Sequence, residues 1–178
     1  NRDMGSPLRV AKHWNRRTAA CKQGKAPIGT RSATLCFFGF GRTGMTEESV
    51  DVLVVGAGLS GIGAACHLQK FCPGHTYAIV EARQALGGTW DLFRYPGVRS
   101  DSDMHTLGYS FRPWAAAKAR ADRPSILSYL RETAREHGIT QKIRFGQRVV
   151  RADWSTPDAC WTVQLRGEDG TTSSMRCN

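Results

Sequence analysis

Two short apolar runs, separated by a glycine-rich turn and a stretch of helical period, stand out in the pattern along the chain. Residues 51–55 (DVLVV) and 76–80 (TYAIV) are apolar with little polar alternation, which is typical of strands covered on both faces. Residues 59–71 place their apolar side chains near one helical face, and residues 72–74 (CPG) end the helix. The pattern predicts a βαβ unit over residues 51–81, with two parallel strands joined by a right-handed crossover.

The second half of the chain has a different pattern. Residues 87–112 are rich in Gly, Arg, Asp and aromatic residues without a regular period, and are predicted to be a loop. A helix is predicted over residues 124–137, where proline stands at the start and glycine follows the end. Three strand-like segments follow at 147–154, 160–166 and 171–177, separated by turn residues. We predict a short antiparallel β-meander there.

The formal net charge of +10 is concentrated in the first 44 residues, where nine Lys and Arg stand against a single acid, Asp3. We predict a basic, unstructured leader over residues 1–44, carrying +8, and a folded domain over residues 45–178. Three interpretations of the leader stay open: sequence upstream of a translation start at Met45, a targeting segment, or a nucleic-acid-binding arm. Because the charge is confined to the leader and no nucleic-acid-binding motif accompanies it, we expect no nucleic-acid partner.

The six cysteines show no CxxC pair and no clustered spacing, so neither a disulfide framework nor a zinc site is predicted. Reduced thiols of this kind are typical of a cytoplasmic protein. No apolar run approaches the ~20 residues that span a bilayer, and nothing else in the sequence indicates membrane association. We therefore expect a cytoplasmic protein without a metal site.

The turn between the first strand and the helix carries the chemistry. Gly56, Gly58 and Gly61 occupy the three glycine positions of the motif G-x-G-x-x-G/A. They allow a tight turn, a close approach of the backbone to a pyrophosphate, and close packing of helix on strand. The amino end of the helix offers N–H groups to the phosphates. Glu81, 20 residues beyond Gly61, is placed to bind an adenosine ribose and to repel a 2′-phosphate, which leaves FAD or NAD as the ligand.

The residues after the second strand resemble a known family. Residues 81–90 resemble the FAD-side motif of flavoproteins with two dinucleotide-binding domains, which favours FAD over NAD. Residues 87–104, 107–114 (LGYSFRPW) and 150–155 (VRADWS) are similar to the Baeyer–Villiger branch of the class B flavin monooxygenases. The resemblance runs from about Met45 to the end of the chain. It implies an α/β fold class, with a Rossmann-like FAD-binding domain of the two-dinucleotide-binding-domain type and an antiparallel β-meander.

The resemblance also implies an activity. In this family NADPH reduces FAD, and the flavin then reacts with O₂ to give a C4a-peroxyflavin, which oxygenates ketones to esters or lactones, or oxygenates sulfur or nitrogen. FAD and NADPH are thus the implied cofactors, and O₂ and a small-molecule substrate the implied partners. The sequence contains no second glycine motif for NADPH and no F-x-G-x-x-x-H-x-x-x-W fingerprint. We therefore expect an incomplete, C-terminally truncated domain that is inactive alone. The alternatives are a non-catalytic remnant or the FAD domain of another two-domain flavoprotein oxidoreductase; the lack of CxxC disfavours a disulfide reductase.

The resemblance assigns roles to single residues. Contacts with FAD are expected from the glycine turn and from the segments that follow, namely from Gly56, Gly58, Ser60, Gly61, Glu81, Gly88, Thr89, Trp90 and the backbone of Val149. Arg99, Ser100 and Asp101 match the segment that meets FAD and NADP, and Asp101 matches the catalytic acid that orients an arginine of a later domain. Without the resemblance, Asp91, Asp101 and Asp103 would be interpreted as solvated loop acids, of which Asp103 could equally cap the next segment. Four tryptophans are expected to pack, with the first of them near the cofactor: Trp90, Trp114, Trp154 and Trp161.

Overall fold

The computed structural model describes residues 48–178 and contains the predicted helices and strands of that region with small shifts at their ends. The helices are α1 (Leu59–Phe71), α2 (Thr89–Leu92), α3 (Met104–Leu107) and α4 (Arg123–Glu136), with a 3₁₀ helix at Ile139–Lys142. The strands are β1 (Glu48–Val50), β2 (Val52–Val55), β3 (Tyr77–Val80), β4 (Ile143–Arg144), β5 (Gln147–Ser155), β6 (Cys160–Gly167) and β7 (Thr172–Cys177). The interpretation of residues 87–112 as a loop throughout was wrong, because α2 and α3 each form one helical turn there.

The predicted βαβ unit is confirmed, and β2 and β3 pair in parallel from Val52 opposite Tyr77 to Val55 opposite Val80. The strand β4 adds to the other side of β3, so the parallel sheet has the order β2-β3-β4. The second sheet has the order β1-β7-β6-β5. Its strands β5, β6 and β7 are antiparallel neighbours, which confirms the predicted meander, and β1 joins β7 in parallel.

The central strand β3 is buried along its whole length, as its unbroken apolar sequence predicted. Tyr77 and Ile79 belong to a core shared with the helices α1 and α4. Ala78 and Val80 point the other way, into a second core against the meander. Because side chains alternate along a strand, β3 contributes to both cores, and the parallel sheet is a layer between the helices and the meander.

Tyr109 joins the loop region to the beginning of α1. Its hydroxyl donates to the Leu59 carbonyl oxygen (2.6 Å), and its backbone N–H donates to the Tyr129 hydroxyl (2.8 Å). Its ring lies against α1 where Gly63 has no side chain, and a methyl group at Gly63 would come within 2.9 Å of the ring. The first turn of α1, which contains Gly61 of the glycine motif, is thereby fixed to α4.

Within residues 48–178, no helix is long and apolar enough to span a membrane. The basic leader, together with Cys21 and Cys36, lies outside the described residues, so the boundary between residues 44 and 45 stays a prediction.

Candidate dinucleotide-binding site

The glycine turn lies at the carboxyl end of β2 and leads directly into α1. Gly56 adopts a φ of +97°, a conformation that L residues with side chains rarely adopt, and its N–H donates to the Val80 carbonyl oxygen (2.8 Å). At Gly61, a methyl group would overlap the Gly56 carbonyl oxygen, so only glycine allows α1 to pack this close to the turn. Gly58 precedes the first residue of α1 and provides no side-chain cap. The helix therefore presents its first N–H groups at the turn, as an anion site requires.

Glu81 lies beside this turn, at the carboxyl end of β3. Its backbone is held by Arg144 and Gln147, which follow in β4 and β5. The side chain is 6% exposed; Oε2 accepts a hydrogen bond from the Ala57 N–H (2.7 Å), and Oε1 accepts one from the Arg83 N–H (3.0 Å). A carboxylate oxygen can accept two hydrogen bonds, so each oxygen retains capacity for a further donor.

A second glycine turn meets the first. The Gly87 N–H donates to the Ala57 carbonyl oxygen (2.9 Å). Gly88 has a φ of +54°, and a methyl group on it would lie 3.0 Å from the Gly58 Cα. The two turns thus form a single backbone surface from which side chains are excluded at the point of contact. Thr89 begins α2 and is exposed, as is Ser60 in α1, whereas Trp90 is half-buried against the helical core.

The interpretation of Asp91 as a solvated loop acid was wrong. Asp91 is 4% exposed, because the single turn of α2 directs it inward. Its carboxylate pairs with Arg83, and lies 3.3 Å from an Arg94 nitrogen and 3.9 Å from an Arg123 nitrogen. Asp103, by contrast, is the N-cap of α3: it accepts a hydrogen bond from the Thr106 N–H (2.9 Å), and its hydrogen bonds with Thr106 lower its pKa.

The remaining predicted residues lie in two other places. Arg99 and Asp101 are exposed, while Ser100 between them is buried and donates its N–H to the Ala121 carbonyl oxygen (2.9 Å). Among residues 48–178, the Asp101 side chain has no hydrogen-bond or ion-pair partner. Val149 is half-buried against the core under the meander, at a bulge in β5. The structure thus brings the glycine turn, Glu81 and the Gly87–Thr89 segment together, and ties residues 99–101 to the segment before α4.

Thiols and metal ligands are not clustered in the described part of the chain. Cys66, Cys72, Cys160 and Cys177 are free, and no group of three or more His, Cys, Asp or Glu side chains is placed to hold a metal ion within residues 48–178. Burial raises the pKa of the Cys66 thiol to about 11. A cavity of about 620 Å³ lies near the start of β3 beside Thr76 and His75. Because Glu81 and the glycine turn lie at the opposite end of that strand, the cavity is not part of the candidate site.

The site can be compared with known proteins. Residues 54–119 match the NAD(P)-binding Rossmann-like domain family. The chain is 55% identical over 133 residues to the FAD-containing monooxygenase EthA of Mycobacterium tuberculosis, an alignment that covers 75% of this chain and 27% of the relative. It is 46% identical over 132 residues to a probable FAD-binding monooxygenase, AlmA, of an Acinetobacter species, covering 74% of this chain and 27% of AlmA.

Solved structures agree with these relatives. A closed crystal structure of cyclohexanone monooxygenase matches with a TM-score of 0.65 and 28% identity over 74% of this chain and 25% of that chain. An oxidized steroid monooxygenase bound to NADP matches with a TM-score of 0.61 and 36% identity over 71% of this chain and 25% of that chain. The matched residues are thus similar in sequence to FAD-containing monooxygenases and similar in fold to cyclohexanone and steroid monooxygenases. The chain spans about a quarter of the length of the monooxygenases that it matches.

For residues 48–178, the fold class predicted from the sequence is confirmed. Two residues of the site were missed: Arg83 and Asp91 were not expected to contribute. The available signal was the position of Asp91, which follows the Gly87–Gly88 pair and lies between Arg83 and Arg94 in the sequence. The burial of that acid depends in part on Arg123, which is 32 residues away in the sequence, and no local pattern reveals it.

Proposed function

We propose that residues 45–178 form the FAD-binding domain of an NADPH- and O₂-dependent flavin monooxygenase. The observation that carries the proposal is the position of Glu81, a buried carboxylate hydrogen-bonded to the middle of the glycine turn. A buried acid at this point favours two ribose hydroxyls as donors and repels a 2′-phosphate. FAD has an unmodified adenosine ribose and satisfies both conditions.

The backbone of the two glycine turns fits a pyrophosphate. A side chain at Gly58 or Gly88 would occupy the surface where the turns meet, since the Cβ positions point at the opposite backbone. The amino end of α1 adds N–H groups and the positive end of the helix dipole. Ser60 and Thr89 border this surface with exposed hydroxyls, and Trp90 fixes the start of α2 against the core. We assign these residues, with the backbone of Val149, to binding of FAD.

Residues 99–101 are assigned to the reaction centre. Ser100 anchors the segment through its buried hydrogen bond, which leaves Arg99 and Asp101 on the surface. An exposed carboxylate can accept a bidentate pair from a guanidinium of another part of the protein, and we propose that Asp101 orients such an arginine. When bound, FAD supplies the redox chemistry by which O₂ is activated with electrons from NADPH. The substrates that we propose are small molecules, either ketones or compounds with an oxidisable sulfur or nitrogen.

The binding proposal is tested by titrating the chain with FAD and following flavin fluorescence. We expect ADP-ribose to displace FAD and 2′-phospho-ADP-ribose to be a poorer competitor. Glu81→Gln should weaken FAD by roughly 10- to 100-fold, because a hydrogen bond to a charged acceptor contributes about 1.5–3 kcal/mol. Asp158→Asn, an exposed acid in the turn between β5 and β6, is the control and should leave the affinity unchanged. A folded wild-type chain that takes up no FAD would refute the proposal.

A further inference from the structure

A continuous series of polar contacts connects the two glycine turns through Asp91. Glu81 accepts hydrogen bonds from the N–H groups of Ala57 and Arg83. The side chain of Arg83 then pairs with Asp91, which is three residues beyond Gly88. The Gly87 N–H returns to the Ala57 carbonyl oxygen (2.9 Å). The ion pair therefore closes the loop of residues 83–91, which contains the Gly87–Thr89 segment.

The electrostatics of this loop depend on a single carboxylate. Asp91 is 4% exposed, and a charge so far from water is retained only when cations and hydrogen bonds compensate for its lost hydration. Arg83 supplies one cation at Oδ2, and Arg94 and Arg123 supply two more near Oδ1. Arg94 also donates its Nε–H to the Asp91 carbonyl oxygen (3.0 Å). Removal of the carboxylate charge would leave three guanidinium groups close together without their common acceptor.

The turn above Asp91 has little space in which to move. A methyl group at Gly87 would lie 3.1 Å from the Asp91 Cβ and 2.5 Å from a Leu127 methyl carbon of α4. On the other side, a methyl group at Gly88 would lie 3.0 Å from Gly58. The turn is thus held between Asp91 and α4 behind it and the first glycine turn in front. A displacement of Asp91 by a few tenths of an ångström would be transmitted to the backbone of Gly88, since the packed turn cannot absorb it.

We propose that Asp91 is a positioning residue for the cofactor: through its pair with Arg83 it holds the Gly87–Gly88 turn at the place where the pyrophosphate binds. The inference rests on the proposed binding of FAD. Its action is confined to one part of the ligand, because Asp91 supports the second glycine turn, whereas Glu81 and the adenosine ribose are held by β3. Loss of the Asp91 charge should therefore weaken ligands that carry a diphosphate more than ligands that carry a single phosphate.

The test compares the affinities of FAD, ADP and AMP for the full chain and for Asp91→Asn. We expect the variant to weaken FAD and ADP by about tenfold or more and AMP by less than about threefold, since misplacement of a supporting group is felt mainly by the groups next to it. Urea unfolding curves establish the urea concentrations over which each protein stays folded. Asp158→Asn is the control for loss of an exposed acid. Equal weakening of all three ligands, or no weakening, would overturn the inference.

A milder variant keeps the test decisive if Asp91→Asn does not fold. Arg83→Lys retains the positive charge and loses the planar guanidinium that pairs with Asp91. Arg83→Lys should also weaken binding of ADP more than binding of AMP, by a smaller factor than Asp91→Asn. A folded Arg83→Lys protein that weakens ADP and AMP equally counts against the role of Asp91. A different result would refute the proposed function, namely a folded wild-type chain that does not bind FAD.

Discussion

Replacement of Gly61 by alanine tests whether the contact between α1 and the glycine turn determines both stability and binding. The methyl group would overlap the Gly56 carbonyl oxygen and lie 3.1 Å from the Gly56 carbonyl carbon. The obstacle is backbone, which cannot rotate away as a side chain can. A carbon normally stays about 3.3 Å or more from a carbonyl oxygen, so the helix must move by on the order of 1 Å.

Two effects of opposite sign decide the magnitude. Alanine stabilises a helix interior by about 1 kcal/mol relative to glycine. Overpacking of a close contact typically costs about 1–3 kcal/mol, and a rigid obstacle is at the upper end of that range. Gly61→Ala should therefore lower the free energy of unfolding by about 2 kcal/mol, a substantial part of the ~5–15 kcal/mol that stabilises an ordinary domain.

Urea unfolding followed by circular dichroism measures this change, and FAD titration of the folded protein measures its effect on the site. Gly74→Ala is the matched control, because a methyl group there meets no atom within 4 Å and the backbone has no positive φ. Gly63→Ala should fall between the two, since its obstacle is the Tyr109 ring at 2.9 Å, which can shift. If Gly61→Ala matches Gly74→Ala in both stability and affinity for FAD, the close packing of helix on turn is not what requires glycine at this position.

Three further outcomes are expected. The Arg144 guanidinium lowers the pKa of Glu48 below its ordinary value near 4.5. The stability that this ion pair contributes is therefore fully present above about pH 4.5 and is lost as the pH falls through the lower pKa of the folded state. In urea unfolding between pH 3 and 6, the free energy of unfolding of Glu48→Gln should depend less steeply on pH than that of the wild type. Peptide mapping after treatment with a thiol reagent at pH 8 should find Cys66, whose pKa burial raises to about 11, modified much more slowly than the half-buried Cys72. Trp154→Ala should lower the free energy of unfolding by about 0.5–1.5 kcal/mol beyond the effect of lost burial, because it removes the ring whose centroid lies 5.4 Å from that of Trp161. An unchanged midpoint of urea unfolding would show that the pair contributes nothing.

The elements that a sequence pattern predicts well here are those with enough residues to show a period. The helix α1 has the predicted limits of residues 59–71, and β3 differs by one residue. The strands β1 and β4 were not predicted, since they have three and two residues and are defined by their partners β7 and β3. A pairing of that length leaves no signature in the chain that forms it.

The two exposed tryptophans show a second kind of limit. Trp154 and Trp161 were expected to pack, and they do pack on each other as a cross-strand pair, but they are 48% and 40% exposed. Alternation places Trp161 on the same face of β6 as Val163, which is buried. The core under the meander includes Val163 and does not extend to the tryptophans. The alternation along a strand predicts on which face of the sheet a side chain lies, whereas its burial depends on how far the opposing layer extends over that face.

Glu81 and Asp91 illustrate the same division within the site. Both are buried carboxylates next to a glycine turn, and only Glu81 was predicted. The position of Glu81 follows from chain geometry, because a βαβ unit of fixed size returns the end of its second strand to the first turn. Asp91 is buried because arginines from three separate segments converge on it, and this convergence exists only in the folded chain. In the proposed roles, Glu81 selects the nucleoside, and the ion pair of Asp91 with Arg83 sets the geometry of the phosphates. Glu81→Gln should therefore weaken binding of the adenosine ribose, and Asp91→Asn should weaken binding of the diphosphate.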